Sequence, residues 1–419
     1  MNVRIVAPKT IAETTIAAQF AALKNADSDR AAAFAAFAAT GLPTRRDEAW
    51  HYTDLRSAMS SAAPVAPAPD AARIEAARIL LAARERVGDV RLVLLDGRFV
   101  PQLSDAAPKG VIAGMLAKSA PLTQSDAVVA LNDAFAMRGL ALDIDAGVQL
   151  AERIEIAHCA SAVAPQATYS RVHVCLFAGA RVRIVESYFG AGADCQRNAL
   201  TQVSLNKGAR CEHVGIIDDD AGLHLESQIA VLGADAEFNS FALVAGGALT
   251  RRQIFATLSG ESAKITLGGL SLLDGRRHAD NTLFVDHAAP HGRSREFYKH
   301  IVADESTGVY QGKVVVRPGA QKTDGAMKSQ AILLSPHAVM NNKPELEIFA
   351  DDVVCGHGAT VGALDPEQMF YLQARGLPKA EAEAMLLEAF GADAIARIDD
   401  EGLAELLRDK MRVWLAARG

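Results

Sequence analysis

Aromatic residues are scarce in this chain, at 5% of 419 residues, and charge is nearly balanced, with 43 Lys and Arg against 50 Asp and Glu. The balance leaves no basic face of the kind nucleic acid requires. The shortage of aromatics counts against propeller blades, which recur at roughly 40–50 residues around aromatic signatures. Cysteine is sparse too: Cys159, Cys175, Cys195, Cys211 and Cys355 are odd in number and contain no C-x-x-C pair, so neither a disulfide framework nor a zinc ribbon is written here. They read as free thiols, mostly small core residues. No run reaches the roughly 18 apolar residues that a membrane span needs. The N-terminus leads into a helical pattern carrying Glu13 rather than an apolar stretch with a cleavage site, so the chain is expected to lack a secretory leader and to be cytoplasmic. Also missing are the phosphate loop G-x-x-x-x-G-K-[ST], a G-x-G-x-x-G between strand and helix, the G-x-S-x-G elbow and H-E-x-x-H. Nucleotide hydrolysis and the simplest hydrolase chemistries therefore have no signature. With 50% hydrophobic and 22% charged residues, a core of ordinary size can still form.

From Thr10 to Thr40 the chain is dense in Ala, Leu and Phe, and Phe20, Leu23, Phe34 and Phe37 fall at amphipathic-helix spacings. A Pro/Ala stretch from Ala62 to Pro69 reads as an exposed linker, because repeated prolines remove backbone donors. Arg91 to Leu95 and Arg98 to Val100 flank Asp96-Gly97, a dipeptide that accepts positive φ, and predict a hairpin. A helix around Ala127 to Met137 closes a mostly helical first part, residues 1–141.

From about Leu142 to Ala350, short runs rich in Val, Ile, Leu and Phe alternate with polar ones, and helical periodicity nearly vanishes. Glycine recurs ahead of these runs at Gly147, Gly179, Gly208, Gly233, Gly260, Gly292 and Gly319, with gaps of 32, 29, 25, 27, 32 and 27 residues. A fixed turn residue followed by alternating side chains suits stacked β-coils, since each coil buries its inward side chains only against its neighbours. The pattern predicts a mainly β protein with a parallel β-helix core over residues 142–350, although a β-sandwich or propeller would also show many short strands. Helical signals return afterwards. Asp365-Pro366-Glu367-Gln368 supplies an N-cap, a first-turn proline and a capping-box residue. That helix carries Met369, Phe370 and Leu372; Pro378 opens another, with Ala382, Met385, Leu386, Ala389 and Phe390 on one apolar face. Residues 351–419 thus read as a last strand and a helical part that must pack on the coil or on another chain.

Two groups of residues could carry chemistry. His278, His287, His291 and His300 fall close together with Asp280 and Asp286, but Pro290 and Gly292 argue against a helix that would converge them on a metal. Turn and inter-coil hydrogen bonds are the plainer role. Cys355-Gly356-His357 places a thiol and an imidazole two residues apart, on one face of an extended strand. Both are ligands suited to iron-sulfur clusters, zinc or copper. Two ligands cannot close a site, so the pair is either completed from outside the chain or purely structural.

The run from Asn341 through Glu345, Asp351, Cys355-Gly356-His357-Gly358-Ala359-Thr360 and on to Gln368-Met369-Phe370-Tyr371 resembles the hallmark of the SufB and SufD family of iron-sulfur cluster assembly proteins. Asp286-His287 to His291, Ser294, Tyr298-Lys299 and Lys322-Thr323-Asp324-Gly325 look like further stretches of that family, and Arg45 to Leu55, with Trp50, looks like its SufD branch rather than SufB. The resemblance covers essentially the whole chain. It implies a right-handed parallel β-helix with helical N- and C-terminal parts, a SufB partner bound through the β-helix, and the ATPase SufC docked on the C-terminal helices, for which Met369, Phe370, Leu372, Met385, Leu386 and Phe390 are the candidates. It also implies a non-catalytic scaffold: a transient cluster forms at the interface with SufB, with His357 and Cys355 as ligands, and ATP is hydrolysed in SufC. No cofactor is expected in the chain alone, and no flavin fingerprint is found. Whether the isolated chain pairs with itself is left open. The competing readings are a self-contained metal-binding β-helix protein built on the histidine-rich turn, a β-helix enzyme acting on polysaccharides, and SufB itself.

Overall fold

The computed structural model describes residues 8–23, 26–116, 126–161 and 165–418. Residues 1–7, on which the reading of a missing leader largely rests, lie outside them. The chain is mainly β and winds into a parallel β-solenoid of about 8 turns with helices at both ends. Successive strands alternate between two sheets. Among the described residues one sheet has ten strands, ending in Asp324–Leu333 and Val354–Gly362; the other has nine, ending in Thr307–Val316 and Val339–Ile348. At the opposite end Val90–Leu95 and Arg98–Phe99 form the expected hairpin, with φ of 51° at Asp96 and 84° at Gly97.

Leu223 sits opposite Leu249 and Thr307 opposite Val339, so neighbouring coils are offset by 26 to 32 residues, the same range as the glycine spacing. Gly147, Gly179 and Gly208 have φ of 73°, 69° and 67°. Their N–H groups donate to the carbonyls of Ala178, Lys207 and Ala234 on the next coil. From the fourth coil onward that stacked corner is taken by Asp235, Ser262, His291 and Lys322, with φ between 57° and 62°, which donate to Glu261, Pro290, Gln321 and Asp352. The turn residue is therefore not always glycine. Gly260 serves close approach instead: a Cβ there would lie 1.9 Å from the Ala234 nitrogen.

Inward positions of both sheets fill the coil with Leu, Ile, Val and Ala. The outer face of the ten-stranded sheet is covered by Lys379–Ile395 and Glu401–Ala416, and the other sheet by Ile11–Ala21, Ser28–Thr40 and Ala127–Phe135. Asp400 caps the last helix and is gripped through two oxygens by Arg153 at 2.7 and 2.8 Å, tying the C-terminal helices to the coil.

Two expectations are corrected. The Ala62–Pro69 stretch is no free linker: Ala66 N donates to the Ala167 carbonyl at 2.8 Å, Ala167 N donates to Pro64, and Ala63 and Ala66 are buried. An extended proline-containing strip needs few donors of its own to lie along a sheet edge. The buried side of Lys379–Ile395 carries Ala382, Leu387, Gly391, Ala394 and Ile395, not Met385. Met385-Leu386-Leu387 offers apolar residues on several sides, and Gly391 selects the face, since a Cβ there would come 2.4 Å from Met411 Sδ.

Candidate functional site

The two ends of the solenoid differ. Near the hairpin, Ala71–Ala83 packs its Ala77 on Val93, Leu95 and Phe189, on the outer face of the ten-stranded sheet. Among the described residues the terminal strands of both sheets have a single partner each: the short antiparallel Arg98–Phe99 and Val111–Met115 at the hairpin end, and the longer parallel Val339–Ile348 and Val354–Gly362 at the other. Val354 N donates to the Thr323 carbonyl at 2.9 Å. Alternation along a parallel strand then turns the N–H groups of Cys355, His357, Ala359 and Val361 away from the sheet. Val354, Phe349, Val361, Val339 and Ile348 stay exposed around this rim. An open edge with apolar side chains is a template for another strand.

Cys355 and His357 stand in this rim, on one face as expected. Cys355 continues the inward column of Ile265, Ser294 and Gly325, and His357 that of Leu267, Glu296 and Met327. Cys355 is half-buried against the lumen, whereas His357 is exposed because no coil stacks above it. Burial pushes the Cys355 thiol up and Asp324 adds to this, while the Gly325 backbone and Arg295 oppose. Gly325 leaves room beneath the thiol: a Cβ there would lie 3.4 Å from Cys355 Sγ and 3.3 Å from Ser294 Oγ. Lys322-Thr323-Asp324-Gly325 shapes the corner feeding the rim, through ion pairs of Lys322 with Asp352 and Asp324 with Arg295 and a 2.8 Å bond from Thr323 Oγ1 to the Ala320 carbonyl.

The histidine-rich stretch is dispersed. His278 meets Thr53 Oγ1 at 2.9 Å, His287 Nε2 meets Ser294 Oγ at 2.9 Å, His291 is an exposed corner and His300 is buried. Burial drives His287 down to about 4 and His300 to about 3, so both are neutral at physiological pH. Among the described residues no group of three or more His, Cys, Asp or Glu gathers around a metal position. His278 belongs to a docking contact instead, in which Trp50 lies 3.8 Å under the Arg251 guanidinium and donates to Asp126 at 3.1 Å. Lys343 on the rim pairs with Glu48 of the same segment at 3.1 Å. Trp50→Ala is expected to loosen the N-terminal helices from the coil, read as faster proteolysis between residues 40 and 70 with the coil intact.

Of the six candidate docking residues, Phe370 and Met385 are exposed and Met369 is half-buried. Leu372 and Leu386 line a shallow groove with Tyr371, Asp365, Glu367 and Gln368. Phe390 is turned to the coil, its ring 4.2 Å from Lys299 Nζ and its carbonyl accepting from that ammonium at 2.9 Å.

Sequence reasoning missed the polar content of the lumen. Glu186 accepts from Thr201 at 2.7 Å and meets His158 and His213 at 2.8 and 3.0 Å; Arg252 holds Glu226 through two 3.0 Å bonds; Tyr310 donates to Glu296 at 2.7 Å. A signal existed, since each of these residues has the inward parity of its strand.

Residues 158–390 match the model of the SUF system FeS cluster assembly, SufBD core domain, and residues 11–156 that of the SufBD protein N-terminal region. The chain is 30% identical to the iron-sulfur cluster assembly protein SufD of Escherichia coli over 376 residues, 87% of this chain and 88% of that protein. It is 28% identical to a SufBD family iron-sulfur cluster assembly protein of Synechocystis over 88% of this chain and 86% of the relative. It is 35% identical to SufD of Bacillus subtilis over 28% of this chain and 27% of the relative.

Proposed function

The chain belongs to the SufBD family of iron-sulfur cluster assembly proteins and is SufD-like, and from this premise we propose that it is a non-catalytic scaffold that forms the nascent cluster jointly with SufB at the open rim of its coil. The observation that carries the reading is the rim itself: a strand with one open edge presenting an exposed imidazole and a half-buried thiol, two ligands where a cluster needs more. A second polypeptide adding its strand to Val354–Gly362 would supply the remainder and cover the exposed Val354 and Val361. His357 is the ligand from this chain; Cys355, whose thiol burial pushes up, is the secondary one. The exposed C-terminal helices, with Phe370, Met385 and the groove at Leu372 and Leu386, would receive SufC, which hydrolyses ATP. Such a complex works in the cytoplasm. No helix of the described residues is long and apolar enough to cross a membrane.

Co-purification with SufB and SufC followed by ATP-dependent cluster formation tests this reading. Ala359→Pro removes one outward N–H and no bond to the neighbouring strand. It is expected to weaken SufB association at least tenfold while the isolated chain folds normally. Unchanged association would show that SufB docks elsewhere.

A further inference from the structure

Two coils below His357, inside the lumen, lies an acid without a counter-charge among the described residues. Glu296 sits opposite Met327, and Met327 opposite His357, which places its backbone roughly 10 Å from that of His357 at two strand spacings. Its carboxyl is fully buried and, among the described residues, holds one hydrogen bond, from Tyr310 Oη to Oε2 at 2.7 Å, while Oε1 has no partner. Tyr310 in turn sits opposite Asn342 on the rim strand, and among the described residues both polar atoms of Asn342 are buried without a partner, as is Ser329 Oγ. Gly312 makes the space, since a Cβ there would come 2.5 Å from Tyr310 Oη and 2.8 Å from Glu296 Oε2. Buried polar atoms left unpaired by protein take internal water when the site is polar and roomy enough. By register, Tyr310, Asn342 and Ser329 place polar atoms on the coils between Glu296 and the rim.

The groups facing Glu296 do not supply a counter-charge. Leu267 and Met327 flank it on its own sheet. Tyr298 and His300 share its strand, and His300 is neutral. Tyr310 faces it from the other sheet, where Arg252 is already held by Glu226. Burial therefore raises the carboxyl to about 7, against a smaller opposing effect of the Tyr310 bond.

We propose that Glu296, with Tyr310, Asn342 and internal water, is the proton acceptor for cluster assembly at the rim. The inference rests on the reading that the cluster forms there. When thiols or hydrogen sulfide bind iron, an S–H bond breaks and an S–Fe bond forms. Each released proton must leave a site that a partner strand has closed to solvent. The Glu296 carboxylate takes it and becomes the carboxylic acid; no electron changes hands.

Infrared spectroscopy of the full chain is expected to show a protonated-carboxyl band that titrates near neutral pH and is missing in Glu296→Gln. Thermal stability should also fall as pH rises from 5 to 8.5, because the folded state binds the proton more tightly than the unfolded one; Glu296→Gln should lose this slope. In the complex with SufB and SufC, Glu296→Gln and Tyr310→Phe should slow cluster formation at least about tenfold and flatten its pH profile, with association unchanged. A band titrating below pH 5, or a Glu296→Gln complex with the wild-type rate and pH profile, overturns the proposal. His357→Ala separates the two ideas: if it leaves cluster yield intact, the rim reading fails; if it abolishes yield while Glu296→Gln does not, only the proton acceptor fails.

Discussion

A chain carrying His357→Ala should assemble with SufB and SufC in normal amounts and yield no cluster. The imidazole is exposed and makes no hydrogen bond to the rest of the chain among the described residues, so its removal costs little folding energy. Surface substitutions of that kind usually stay within about 0.5 kcal/mol. Its chemical cost is different, because iron at the rim loses the one nitrogen donor that stands in the lumen column there. Cys355→Ser, by contrast, should reduce yield only partially, since its thiol faces inward and is raised by burial. Iron and acid-labile sulfide per complex, measured after anaerobic reconstitution, decide both. A full cluster load on His357→Ala would remove the residue from the chemistry.

Glu226→Ala should destabilise the isolated chain by about 3–5 kcal/mol, the usual cost of leaving a buried charge without its partner. Both members of the pair are buried, and Arg252 Nε and Nη2 each lie 3.0 Å from a Glu226 oxygen. Burial alone would push the Glu226 carboxyl up; the Arg252 charge and the adjacent His224 outweigh it and hold the group at about 2. Because the folded pKa lies below the unfolded one, the stabilisation is present above roughly pH 4.3 and is lost as pH falls towards 2. Replacing both residues with apolar ones, Glu226→Leu with Arg252→Met, should recover most of the loss. Urea denaturation of the three chains at pH 7 measures these differences. A double variant as unstable as Glu226→Ala would mean that the pair also supports Tyr298 or other lumen groups in ways that apolar packing cannot replace.

The solenoid was legible in the sequence because coil length is set by a corner and two strands, and the corner leaves a glycine every 25–32 residues. Its later register was not. Asp235, Ser262, His291 and Lys322 all adopt positive φ, so the nearby glycines pointed to the corner but missed the stacked residue by one to three positions. Cys355 and His357 could be placed on one face from their spacing alone, and the open rim explains why one is half-buried and the other exposed. The lumen acids carry the inward parity too, but parity becomes readable only once the register of each strand is known. Glu296 looks like any charged strand residue until neighbours above and below show that its parity points inward. The apolar face of Lys379–Ile395 was misjudged because three consecutive apolar residues leave the choice to Gly391, whose importance appears only when Met411 is seen against it.

The long parallel strands that close the stack at the rim also bear on how the molecule forms. Each coil gains most of its contacts from the coil beneath, so ordering should zip upward from the hairpin, and the final turn should be the last to settle and the first to fray. Amide exchange ought to slow steadily with depth below Val354. A terminus that breathes in this way can be sealed reversibly by a passing chain without unpicking the rest of the stack.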